Sequence, residues 1–233
     1  MPRVRQSLAP ERAAMMQWTA RLGAVTAEAL ADREGSSVAS ARARLLAAER
    51  DRLLSRRRPL SGQPALYAIT RAGVRASLLD GLDPCRVSAS DAAHLISCAR
   101  VAAALERCYP DHRVLGEREL RSEERRFGGR LASASVGVGP DGRPQLHRPD
   151  LVLWPRAPLG GLPVAVEVEL TIKAPRRLAE ICRAWARCRL VAGVVYLTSP
   201  EVDRPLERAI EKAAARERIV AVPLASLPDR SSA

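Results

Sequence analysis

No apolar run in the sequence approaches the roughly 20 residues that a membrane-spanning helix needs; the longest, Leu190 to Leu197, has eight. No membrane partner is expected. Residues 1–10 carry two Arg but no continuous apolar stretch ahead of a small-residue cleavage site, which argues against a secretory signal and leaves the cytoplasm as the expected location. The five cysteines (Cys85, Cys98, Cys108, Cys182, Cys188) are odd in number and contain no C-x-x-C pair. Buried thiols are therefore expected, rather than a disulfide framework or a zinc site. Neither G-x-x-x-x-G-K-[ST] nor G-x-G-x-x-G occurs, so there is no sequence case for a nucleotide cofactor. Lysine is nearly missing: Lys173 and Lys212 are the only two among 38 basic residues. With Ala and Pro also abundant, that bias fits a GC-rich genome, and richness in Arg says little by itself.

What is present is a core and a charge. At 47% hydrophobic and 27% charged, the chain can bury a sizeable interior, which excludes a disordered tail or a fibrous repeat. Its 233 residues fit two unequal domains. A formal charge of +12 suits a polyanion, nucleic acid first, better than an acidic small molecule.

Residues 10–22 read as a helix with Ala13, Met16, Trp18 and Leu22 on its apolar side. Thr26 is placed to cap a second helix that Gly35 ends, and Ser36 or Ser37 to cap a third reaching about Leu54. In that third helix Val38, Ala41, Leu45, Ala48 and Arg52 share one face, leaving Ser37, Ser40, Arg42 and Arg44 on or near the other. The segment holding Arg56, Arg57 and Arg58 ends in turn residues and leads into a strand at Ala65 to Thr70. Three helices, a basic hairpin and the ending Tyr67-x-Ile69-Thr70-x-x-Gly73 resemble the winged helix-turn-helix family of bacterial DNA-binding proteins. The resemblance implies double-stranded DNA as partner. Ser37, Ser40, Arg42 and Arg44 would then meet the major groove, with Arg56, Arg57 and Arg58 along the phosphates.

After Gly81-Leu82-Asp83-Pro84 the character changes, and the boundary is expected at 82/83. A long Ala-rich helix to about Cys108 is followed by strands at 112–120, 130–138, 148–154 and 162–172, a helix at 175–189, a strand at 190–198, a helix at 201–218 and a strand at 219–224. The class is α/β, or α+β over the whole chain, with central strands covered on both faces. Only the Arg/Ser/Gly stretch 121–135 reads as mobile.

Acids stand in this half where apolar periodicity would not put them. Asp150 opens Leu151-Val152-Leu153-Trp154, and Glu167 and Glu169 alternate with Val on the strand after it, sharing one face. If those strands pair, three carboxylates repel one another unless Mg2+, Mn2+ or a basic partner neutralises them. The alternative is a solvated edge with acids paired to Arg176 or Arg177. His147 could approach the same place; His94 reads as a core or interface residue, Trp154 and Trp185 as core, and Phe127, among arginines, as a candidate nucleic-acid contact.

Pro149-Asp150, a gap of 16 residues and Glu167-x-Glu169 resemble the PD-(D/E)xK, or restriction-endonuclease-like, superfamily. The resemblance implies a core of helix, three strands, helix and strand, with a metal held by Asp150, Glu167 and Glu169. Glu169 stands where that family has Lys; Lys173, four residues on, is the candidate replacement, and Glu117, with Glu119 behind it, the candidate further acid. A winged helix joined to such a core, with Arg148-Pro149-Asp150 ahead of Glu167-Val168-Glu169, also resembles the replication-relaxation family of bacterial and plasmid proteins. That resemblance implies a nucleoid-associated protein working with replication or mobile-element proteins. Two readings stay open: a metal-dependent DNA endonuclease or nickase, which would need a homodimer to cut a symmetric target, and a DNA-binding replication factor or transcription regulator with a silent nuclease fold.

Overall fold

Most elements lie where local sequence signals put them within residues 9–228, which the computed structural model describes. The chain is mixed α/β and divides into two compact units, Met1–Ala99 and Arg100–Ala233. The formal charge is shared equally: each unit has net +6, from 15 basic and 9 acidic residues in the first and 23 and 17 in the second.

In the first unit, α1 (Pro10–Leu22) starts on its proline, whose missing N–H costs nothing at that position. It is followed by β1 (Ala24–Val25), α2 (Ala27–Glu34) and α3 (Val38–Arg50). The caps are those the sequence announces. Thr26 accepts from the Ala29 amide at 3.0 Å, Ser37 from the Ser40 amide at 3.1 Å, and Gly35 ends α2 in the left-handed conformation. Ala41, Leu45 and Ala48 are fully buried, but Val38, expected inside, is 37% exposed in the first turn, and α3 stops at Arg50 rather than near Leu54. It stops because Arg52 takes a left-handed φ of 58° and Thr70 reaches back to the Arg52 and Leu53 carbonyls at 2.8 and 2.9 Å. β2 (Leu54–Arg57) and β3 (Leu66–Ile69) pair antiparallel, and β1 pairs on the other side of β3, a short strand that two residues of sequence do not advertise. Thr70 also caps α4 (Arg71–Ser77) by accepting from the Gly73 amide. At Gly73 a Cβ would lie 2.1 Å from the Leu53 carbonyl oxygen, so the turn requires glycine there.

The helix α5 (Ala89–Cys108) contains the division between the units. Next come β4 (His112–Gly116), α6 (Glu117–Phe127), β5 (Ala134–Val138), β6 (Pro144–His147), β7 (Leu151–Pro155), β8 (Val164–Glu169), α7 (Pro175–Arg187), β9 (Gly193–Thr198), α8 (Pro200–Lys212), β10 (Ile219–Pro223) and a short 3-10 turn, Leu224–Ser226. One sheet has the order β10-β9-β8-β7-β4: β4, β7 and β8 run as antiparallel neighbours, and β9 and β10 join parallel to β8. Trp185, Leu178, Ile181 and Cys182 of α7 are buried with Ala165, Val194 and Tyr196 of the sheet and Leu206 of α8.

Three expectations are corrected here. The strand at 112–120 ends at Gly116, and Glu117 starts a helix, since Glu117 and Glu119 suit a first turn and Gly116 breaks the strand. The stretch 121–135, read as mobile, is built into the fold at both ends: it finishes α6 and then buries Ala132, Ser133 and Ala134 completely. The hairpin β5–β6 adds a strand not foreseen at 144–147, because its alternation is broken by Pro144 and Gln145. Only Cys182 and Cys188 are buried thiols; Cys85 and Cys98 are half-buried and Cys108 exposed.

Candidate functional site

The acids meet where two strands part company. The β7–β8 ladder runs from Leu153↔Val164 to Leu151↔Val166 and stops, while β8 stays paired to β9 as far as Glu169↔Thr198. In place of a ladder carbonyl, Asp150 Oδ2 accepts from the Val168 amide at 2.7 Å, so its carboxylate bridges the opening. Glu167 and Glu169, two positions apart, lie on one face of β8 and are each only 5% exposed.

Each acid has its own cation or donor. His147 Nε2 lies 2.7 Å from Glu167 Oε1, and Trp185 Nε1 donates to the same oxygen at 3.1 Å. The imidazole stands edge-on to the Trp185 ring at 5.7 Å. Burial drives Glu167 toward its neutral form and raises its pKa against the pull of His147. Burial alone would lower the His147 pKa, but the charge of Glu167 and its hydrogen bond outweigh that, and the imidazole titrates above its ordinary range. Lys173, in the loop between β8 and α7, turns back to pair with Glu169. Its pKa is lowered, chiefly by desolvation and with help from Arg177, while Glu167 and Asp150 act in the opposite sense. Arg177 itself pairs with Glu180 at 3.7 Å.

The further acid fares differently. The Glu117 amide donates to the Asp150 carbonyl at 2.9 Å, which ties the start of α6 to the site, but its carboxylate pairs along the helix with Arg121 at the surface. Glu119 is buried against Arg113 at 2.5 Å. An acid that the sequence did not single out does more: Glu124, 4% exposed, accepts from Arg148 Nε at 2.9 Å, from Ser133 Oγ at 2.6 Å and from the Leu131 amide at 3.0 Å. Arg148 begins Arg148-Pro149-Asp150, so Glu124 anchors the segment between His147 and Asp150. Its only sequence signal is an acid at the i+7 position from Glu117, on a helix whose other acids and arginines look solvated.

Chemically, Asp150, Glu167 and Glu169 are hard oxygen donors of the type Mg2+ and Mn2+ take. Glu167 Oε1 already has two donors, and Glu169, paired to Lys173, could add a ligand only by exchanging it.

In the first unit, Ser40 and Arg42 lie exposed on α3, Arg42 3.4 Å from Glu28. The Ser37 hydroxyl is spent on its cap. Arg44 points back to Glu34, at 2.5 and 3.1 Å, and to the Glu11 carbonyl. Arg56 is half-buried on β2 opposite Tyr67, whereas Arg57 and Arg58 are exposed. A polar hollow of about 300 Å³ between α3 and the hairpin is lined by Glu28, Arg42, Arg58, Gln63 and Tyr67. Phe127, at the end of α6, is 70% exposed, and Trp185 is core. No helix among the described residues is long and apolar enough to cross a membrane. No protein-family model, curated protein or solved structure matches the chain.

Proposed function

We propose that the chain is a DNA-binding protein with a winged helix-turn-helix first unit and a restriction-endonuclease-like second unit that hydrolyses phosphodiesters with Mg2+ or Mn2+. The observation that carries this reading is the placement of Asp150 and Glu167 at the open end of β7–β8, with Lys173 paired to Glu169 two residues along the same strand, and the antiparallel run β4-β7-β8, then α7 and a parallel β9, behind it. Asp150 and Glu167 would hold the cation, which when bound supplies charge stabilisation and an activated water. Lys173 brings an ammonium whose charge can oppose that developing on a phosphate oxygen, the task of the Lys that Glu169 replaces. Arg57, Arg58, Ser40 and Arg42 would contact the duplex, leaving Arg44 to hold α3 on α2.

A second reading has its own observation. Glu167 already has two donors on one oxygen and Glu169 its own cation, a set that is satisfied without metal and suits a DNA-binding replication factor or regulator.

Supercoiled plasmid incubated with Mg2+ or Mn2+ separates them. The endonuclease reading expects nicking or linearisation that a chelator stops and that Asp150→Asn and Lys173→Met each lower at least a hundredfold, with circular dichroism unchanged. Plasmid shifted but intact with either metal overturns it in favour of the silent fold.

A further inference from the structure

Beside the carboxylates lies a cavity that the chemistry above does not use. It measures about 340 Å³, near the lower end of small-ligand pockets, roughly 300 Å³, and sits between α7 and α8 in the second unit. Pro175, Leu178 and Ala179 line it from α7, and Pro205, Arg208, Ala209 and Lys212 from α8. The α8 residues fall at i, i+3, i+4 and i+7, one stripe of the helix, so its apolar floor carries two cations on one side. Lys173 lines it too, and Lys173 is the ammonium paired to Glu169. The two lysines of an Arg-dominated chain therefore share one cavity. Ile172, 58% exposed, forms part of its wall.

An apolar cavity with three cations among its lining residues fits a ligand that is apolar in one part and repeatedly anionic in another. We infer that the α7–α8 cavity receives one base of an unpaired DNA strand, with the flanking phosphates on Arg208, Lys212 and Lys173. The inference rests on reading the β7–β8 opening as a phosphodiester site and names its substrate class: DNA with a single-stranded or frayed segment beside the bond attacked. Lys173 would couple the two, held by phosphate on the cavity side and by Glu169 on the other. The aliphatic wall of Ile172, Pro175, Leu178 and Pro205 offers van der Waals contact to a base's face, and every base has such a face. The slot therefore gives a preference for unpaired structure rather than for a sequence.

The test uses the full chain in chelator, so that cleavage plays no part. Single-stranded oligonucleotides carrying 2-aminopurine, and a paired duplex of the same sequence, are titrated by anisotropy over a series of salt concentrations. The variants are Arg208→Ala with Lys212→Ala, both at exposed positions, and Ile172→Asp. Each cation on a single-strand phosphate contributes about 0.7 to the log-log salt slope, so the double variant should lose about 1.4. Its duplex slope should be unchanged, and Ile172→Asp should weaken single-strand binding and reduce the 2-aminopurine response with both cations kept. An equal slope in wild type and double variant, or an equal loss on duplex, overturns the inference. A protein that binds single strands this way yet leaves plasmid intact keeps the cavity and loses the nuclease; one that nicks plasmid with its single-strand slope unmoved does the reverse.

Discussion

Glu124 is the residue whose removal the second unit should tolerate least for its size of change. It is 4% exposed and is the acceptor for a guanidinium, a hydroxyl and a backbone amide. A hydrogen bond to a charged partner contributes about 1.5–3 kcal/mol and a neutral one about 1. Glu124→Ala removes three bonds of the first kind, since the carboxylate is the acceptor in each, and leaves Arg148, whose side chain is 21% exposed, able to recover part of its hydration. The expected loss, discounted for that recovery, is about 3 kcal/mol. Glu124→Gln keeps an acceptor oxygen and should lose about half of that, while Glu117→Ala, which breaks an exposed i,i+4 pair, should lose about 0.3–0.5 kcal/mol. The assay is urea unfolding followed by tryptophan fluorescence in a Trp18→Phe background, so that Trp154 and Trp185 alone report, both from the second unit. With a slope of about 2 kcal/mol per molar urea, Glu124→Ala should lower the midpoint by about 1.5 M. A midpoint for Glu124→Ala indistinguishable from that of Glu117→Ala would refute the claim that Glu124 anchors Arg148-Pro149-Asp150.

Two further outcomes follow from the same contacts. Arg57→Ala and Arg58→Ala should each reduce the salt slope of duplex binding by about 0.9, whereas Arg44→Ala should lower the melting temperature and leave the slope alone; gel shifts over a salt series beside thermal melts check both. His147 has a raised pKa in the fold, so its contribution to stability is full below the ordinary imidazole value of about 6.5 and is lost as pH rises through its folded pKa; Glu167, raised by burial, acts in the same direction from its own ordinary carboxylate value upward. The second unit should melt lower at pH 8.5 than at pH 6, and His147→Gln should flatten that dependence; a variant with the wild-type slope would remove the pair as its source.

Local chemistry determined a good deal by itself. Thr26, Gly35, Ser37 and Thr70 mark helix ends because a hydroxyl or a left-handed glycine satisfies terminal backbone groups within three or four residues, and those interactions need no distant partner. The alternation of Glu167 and Glu169 with valine put both acids on one face of a strand. The length of the Lys173 loop allowed it to turn back, although only the fold shows Glu169 as its partner. Pro149-Asp150 and Tyr67-x-Ile69-Thr70-x-x-Gly73 carried the family resemblances. Gly73 was readable as a motif letter, but its cause, the Leu53 carbonyl in the space of a Cβ, comes from a residue 20 positions away.

Tertiary structure decided what each charged residue touches. Arg44 and Arg42 are equivalent in sequence, two positions apart on one helix, and only the packing of α2 against α3 gives the first to Glu34 and leaves the second near the surface. Glu117 and Glu124 lie on the same helix, and the burial of residues 132–134 turns the second into an anchor while the first stays with Arg121. The pairing of His147 with Glu167 spans 20 residues and that of Trp185 with Glu167 spans 18. Periodicity reports which face of an element is apolar; it carries no record of which charge stands opposite once the sheet has closed, because that depends on strand order and register.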